Sequence, residues 1–133
     1  MQGPRTNTFD DNGRIQQIER AIISVGKANT SIGMKCTDGI ILLGINDKVN
    51  SKSANTVSEK IYKIDKNITC IIAGLFADGL QLISIARRIA QDYRYMYGID
   101  IPLKQLTQDL SGRLQNFTQS GAGRPFGVSF IFT

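Results

Sequence analysis

The chain has no histidine, no tryptophan, only two cysteines and only three prolines in 133 residues. Without an imidazole, Ser-His-Asp and Cys-His catalysis cannot be assembled within it, and the commonest transition-metal ligand is missing. Cys36 and Cys70 cannot close a zinc site by themselves. Each lies in an apolar, strand-like setting, which predicts a buried reduced thiol rather than a disulfide. No metal and no cofactor is expected. No apolar run reaches the roughly 18 residues that a membrane span requires. The start, Met1-Gln2-Gly3-Pro4-Arg5, lacks the hydrophobic stretch of a secretory signal. These absences predict a soluble intracellular protein with no membrane partner.

What is present fits one globular domain: 41% hydrophobic and 20% charged residues provide a core with a solvated surface. The formal charge is +5, from 16 basic and 11 acidic residues. The basic residues are spread from Arg5 to Arg124, and only Arg87-Arg88 are adjacent. A nucleic-acid surface gathers its cations and interleaves them with aromatics. A basic RNA-associated module is therefore supported by net charge alone, and nucleic acid is not an expected partner.

The patterning predicts the elements. Residues through Asp10-Asp11-Asn12-Gly13 read as a loose arm ending in a tight turn. Ile15, Ile18, Ile22 and Val25 recur at helical spacing, closed by Gly26. Thr30, Ile32, Met34 and Cys36 alternate with polar or small residues as in a half-buried strand. Thr37-Asp38-Gly39 turns into the apolar run Ile40 to Ile45, a second hairpin strand expected to be covered on both faces. Residues 46 to 58 are polar loop. Ile61 to Ile64 and Ile68 to Gly74 read as two more strands joined at Asp65-Lys66-Asn67. From Asp78 to Tyr97 a helix carries the stripe Leu82, Ile85, Ile89, Tyr93 and Met96, with Asp78 as N-cap and Gly98 as stop. Pro102 opens another, with Leu103, Leu106, Leu110, Leu114 and Phe117 inward. Gly121 to Gly127 form a turn, and Val128 to Phe132 begin a strand. The fold class is α+β. The chain ends at Thr133 inside an apolar strand, which is expected of a fragment of a longer protein or of a chain that its neighbours complete.

Eight blocks in register then resemble one family. Phe9-x-x-x-Gly13-Arg14-x-x-Gln17-Ile18-Glu19-x-Ala21 is similar to the N-terminal signature of proteasome α subunits. Thr30-Ser31-Ile32-Gly33 with Asp38-Gly39-Ile40-Ile41-Leu42 resembles the family's first hairpin. Ser58-Glu59-Lys60-Ile61-Tyr62-Lys63-Ile64, Ala73-Gly74-Leu75-x-Ala77-Asp78, Ala90-Gln91-x-Tyr93 and Ile101-Pro102 continue the match. Phe117-Thr118-Gln119 and Gly123-Arg124-Pro125-Phe126-Gly127-Val128-Ser129 complete it. Arg5-Thr6-x-Thr8-Phe9 and the Ser58 to Ile64 block most resemble the type-4 branch.

The resemblance implies an N-terminal-nucleophile-hydrolase (αββα sandwich) fold, truncated after its first half. One domain, 1–133, would comprise an arm (1–13), a signature helix (14–26) and a partial sandwich (27–133). In the catalytic siblings a threonine attacks, assisted by an aspartate and a lysine. Those positions fall here on Asn29, Ile45 and Lys60. A carboxamide cannot be that nucleophile and an isoleucine side chain cannot orient a lysine, so no catalytic residue is expected. The alternative is a self-processing threonine hydrolase that exposes Thr30, although Ala28-Asn29 replaces the glycine normally found before the cleavage point.

The family's function implies the remaining expectations: a non-catalytic ring subunit of the 20S core particle, in cytoplasm and nucleus, serving ubiquitin-dependent protein degradation. Its partners would be neighbouring α subunits, β-ring subunits, regulatory caps binding through C-terminal tails, and unfolded polypeptide in transit. Ile15, Ile18 and Ile22 would mark a ring-contact helix, or simply a core helix. Lys60 would pair with an activator's terminal carboxylate, or be a solvated strand-end lysine. The gate positions that hold a Tyr-Asp pair, a proline and a tyrosine in the family hold Gln2, Gly3, Asp11 and Arg20 here. The open-state cluster therefore cannot form as such. Either this subunit contributes little to gating or it is a divergent copy. Ser120 and Gly121 would border the pore aperture, or turn the chain.

Overall fold

The computed structural model describes residues 7–45, 59–119 and 123–133. Gln2, Gly3, Ser120, Gly121 and the 46–58 loop lie outside them. A tight turn comes first. The Asp10 carboxylate accepts the Asn12 and Arg14 amides at 3.0 and 2.9 Å, and the Asp10 carbonyl accepts the Gly13 amide. The turn lets Phe9 bridge antiparallel to Ile15.

The element order matches the sequence pattern: α1 (Gln16–Gly26), β1 (Ser31–Lys35), β2 (Ile40–Gly44), β3 (Ile61–Asp65), β4 (Ile68–Gly74), α2 (Phe76–Tyr97), α3 (Leu103–Gln119) and β5 (Val128–Phe132). Strands β3, β4 and β5 form an antiparallel sheet with β4 in the middle, and β1 pairs antiparallel with β2. Helices α2 and α3 cover one face of the three-stranded sheet. Ile68, Cys70 and Ile72, alternating along β4, meet Leu82, Ile83, Ala86, Leu106 and Leu110 there. Ile71 points the other way and is also buried, because the β1-β2 hairpin lies over it. The layers are helices, sheet and hairpin, an α+β arrangement.

The hairpin faces opposite to the expected way. Its apolar set points outward among the described residues, with Ile32 49% and Leu43 52% exposed and Met34 and Ile41 alike. The cause is the closeness of the underlying sheet. A Cβ at Gly33 would sit 2.9 Å from the Ile131 side chain, and one at Gly44 2.9 Å from that of Ile71. Glycine permits that approach without displacing either side chain, so Gly33 and Gly44, with Leu42 between them, face in and β2 is not covered on both faces.

Four smaller expectations are also corrected. Gly26 is the last helical residue of α1 rather than a left-handed stop; Lys27 is the C-cap at φ −88°, its amide donating to Ile23 O. Leu75, not Asp78, is the N-cap of α2, because the Asp78 carboxylate is drawn to another partner. Met96 is 66% exposed, since the buried face of α2 runs through Gly79, Leu82, Ile83, Ala86 and Ala90 against sheet and α3 together. Leu103 and Phe117, at the two ends of α3, are exposed. Gly98 stops α2 as expected, left-handed at φ 70°.

The two cysteines part company. Both are free, but Cys36 is only half-buried at the hairpin tip whereas Cys70 is enclosed. Burial pushes the Cys70 thiol up to about 11, outweighing the nearby Arg87 cation. Iodoacetamide at pH 8 should therefore label one site per chain, and Cys36→Ser should abolish the label until denaturant is added. Equal labelling of both thiols in the folded chain would contradict this packing.

Candidate functional site

The α1–β1 link, the end of β4 and the start of α2 enclose a recess of about 180 Å³. Lys27, Ala28 and Asn29 form one wall, Ile72, Ala73 and Gly74 the opposite one, and Lys60 and Phe76 complete it. Two positions carried over from the hydrolase pattern, Asn29 and Lys60, are thus brought together. The third joins them in an unexpected way: the Lys60 ammonium donates to the main-chain carbonyl of Ile45. An isoleucine side chain cannot orient a lysine, but its backbone does so here.

Among the described residues that line this recess none carries a hydroxyl or thiol. Asn29 offers a neutral amide. Thr30 lies within the continuous chain, and its carbonyl accepts the Ile45 amide at 3.0 Å, extending the hairpin ladder by one residue. Its amino nitrogen is a peptide nitrogen and cannot serve as a base.

The recess wall is fixed from behind by a cluster that the sequence reading did not find. Arg124 binds Asp78 through both guanidinium nitrogens, each at 2.7 Å, and the Gly127 amide donates to the same carboxylate at 3.0 Å. The Asp78 side chain is 7% exposed and that of Arg124 59%. Arg124 holds the Asp78 carboxyl below the usual carboxylate range; burial opposes this and the Gly127 amide assists it. The Leu75 amide in turn donates to Gly127 O at 2.8 Å. The β4–α2 corner is therefore clamped to the turn before β5. The signal was an acid in the first turn of a helix with no side-chain cap, and an arginine three residues before a glycine.

A second clamp sits at the far end of α2. Arg94 donates to both oxygens of Asp65 at 2.6 Å and to Asp100 at 3.0 Å. Burial raises the Asp65 carboxyl, but Arg94 and the Lys66 amide outweigh it, and the net shift is downward.

The remaining predicted positions are dispersed. Ile18 and Ile22 border an apolar groove of about 310 Å³ with Val25, Leu114 and Phe126. Ile22 is exposed rather than packed inward, while Ile15 serves as the N-cap of α1. Asp11 is exposed in the first turn, and Arg20 lies on α1 bordering a separate recess with Arg124. Among the described residues no cluster of three or more acidic or cysteine ligands could hold a metal, and no helix is long and apolar enough to cross a membrane.

Residues 25–133 match the family model described as proteasome subunit. The chain belongs to the proteasome subunit family. It is 43% identical over 129 residues to a probable proteasome subunit alpha type-3 of Encephalitozoon cuniculi, covering 97% of this chain and 54% of that protein. It is 44% identical over 130 residues to proteasome subunit alpha type-4-A of Arabidopsis thaliana, covering 96% and 52%. The alpha type-4 subunit of Spinacia oleracea is 43% identical over the same length. The chain spans about half the length of the curated relatives it matches. Its helices, sheet and hairpin supply three layers of the αββα sandwich that the family resemblance implies, so the proteasome-family fold class stands as expected.

Proposed function

We propose that the chain is a non-catalytic α-ring subunit of the 20S proteasome, acting in ring assembly, substrate gating and activator docking. The observation that carries this reading is the neutral Asn29 beside a Lys60 already held by a main-chain carbonyl. Such a recess can receive an anion but cannot cleave a peptide. The relatives' printed names, proteasome subunit alpha type-3 and type-4, support the same reading.

In this proposal Lys60 receives the terminal carboxylate of an activator's tail. The apolar groove along α1 is the face toward a neighbouring α subunit, and β-ring subunits and polypeptide in transit are the other partners. Asp11 and Arg20 stand where the family's gate has a proline and a tyrosine, so any share in gating is made without the family's open-state cluster. The particle works in cytoplasm and nucleus in ubiquitin-dependent degradation.

Two measurements test the proposal. The chain in its source extract should migrate with a very large particle and should not hydrolyse fluorogenic peptides. A stable free monomer, or turnover abolished by Thr30→Ala, would overturn it. In the assembled particle, Lys60→Ala should weaken tail docking ten- to hundredfold, since a charge-assisted contact contributes about 1.5–3 kcal/mol. Unchanged affinity would remove Lys60 from the role.

A further inference from the structure

The turn before α1 carries a reactive pair. Asn12-Gly13 is the one Asn-Gly step in the chain; the other seven asparagines precede Thr, Asp, Ser, Ile or Phe, all of which carry a Cβ. An asparagine side chain loses its amide when the main-chain nitrogen of the next residue attacks its Cγ. Glycine, with no side chain, leaves that nitrogen the most accessible. Asn12 and Gly13 are both exposed, and nothing lies within 4 Å of where a Gly13 Cβ would stand.

The same turn holds the nucleophile back. The Gly13 amide donates to Asp10 O at 2.9 Å, and a nitrogen whose proton is held in that bond is not free to attack. Asp10 also closes the turn on either side of Gly13, its carboxylate accepting the Asn12 amide at 3.0 Å and the Arg14 amide at 2.9 Å. Both of those bonds are exposed and compete with water, so the turn opens at small cost. We infer that Asn12 is a deamidation site of the folded chain and that Asp10 sets its rate by holding the turn shut.

The step needs no group but water. The Gly13 nitrogen gives its proton to hydroxide and bonds to Asn12 Cγ; the Cγ–Nδ2 bond breaks and ammonia leaves, closing a cyclic imide. Water opens the ring at one carbonyl to give aspartate. At the other it gives isoaspartate, whose main chain runs through the former side chain and is longer by a methylene. Either product works against the turn. Aspartate sets a third negative charge beside Asp10 and Asp11, opposing the carboxylate that binds there. Isoaspartate lengthens the segment between Asp10 and Gly13, so their bond and the Phe9–Ile15 bridge cannot both be kept. The modification is a one-way release of Phe9 from the start of α1, and it does not depend on the ring-subunit reading.

The test holds the chain at pH 8 over several days and separates the amide, aspartate and isoaspartate forms of residue 12 by peptide mapping. A free peptide of residues 9–15 is the open-turn reference. The native chain should convert about tenfold more slowly than the peptide. Asp10→Ala should recover most of that difference, and Asp10→Asn, which keeps a weaker acceptor, should fall between. Hydrogen exchange of the Gly13 amide should quicken by the same factor, while Cys70 stays closed to iodoacetamide and shows the remaining fold intact. Equal conversion in the native chain and both Asp10 variants would overturn the role of Asp10. A chain that stays unmodified at residue 12 in either variant while the peptide converts would overturn the site itself.

Discussion

Gly74→Ala should leave the chain largely unfolded. Gly74 ends β4 at φ +124°, a conformation that residues with a Cβ rarely adopt. A Cβ there would lie 2.3 Å from Gly127 O and 2.8 Å from the Val128 Cα, both backbone atoms that no rotamer change can move. Relief requires opening the last β4–β5 pair, Gly74 with Val128, and losing the bond from the Leu75 amide to Gly127 O. Strain and clash together should exceed about 4 kcal/mol, a large part of the stability of any domain this size. Gly98→Ala is the internal control. It has a left-handed φ of 70° but open space around the new methyl, so only strain of about 1–2 kcal/mol applies. Urea denaturation of the three proteins separates the contributions. Equal midpoints for the two variants would show that Gly127 does not press on Gly74.

Asp78→Ala should cost about 3 kcal/mol and loosen the recess. It removes both bonds from Arg124 and orphans the buried Gly127 amide. The figure lies at the low end for breaking a buried pair because Arg124 is more than half exposed and can rehydrate. The pH dependence has a definite sign. The folded Asp78 carboxyl titrates below its unfolded value of about 3.9, so its stabilisation is complete above that pH. It is lost as pH falls through the lower, folded value. Asp65 contributes with the same sign. Stability of the native chain should therefore fall below about pH 4, and the gap between it and Asp78→Asn should close over the same window. A gap that persists unchanged in acid would assign the effect to packing rather than charge.

The acid-sensitive clamp illustrates what could be read in advance. The α2 and α3 helices, the β3–β4 hairpin and Gly98 were legible because period, turn residues and stops are local properties. The direction of the β1-β2 hairpin was not. Ile32, Met34, Ile41 and Leu43 carry a stronger apolar signal than Gly33 and Gly44, yet the glycines face the sheet, where the Ile71 and Ile131 side chains come close to them. Asp78 read as an N-cap for the same reason. An acid near a helix start looks identical whether it binds its own backbone or an arginine 46 residues away.

The candidate site divides in the same manner. The positions Asn29 and Lys60 followed from register against the family, while the Ile45 carbonyl did not. Backbone groups leave no trace in side-chain patterns. The sequence alone determined the order of elements and the family, because each is written in residue identity and spacing. Tertiary structure decided which hairpin face is buried, what holds Asp78 and what holds Lys60. Those outcomes depend on how closely distant segments approach, and that distance is set only when all the layers pack together.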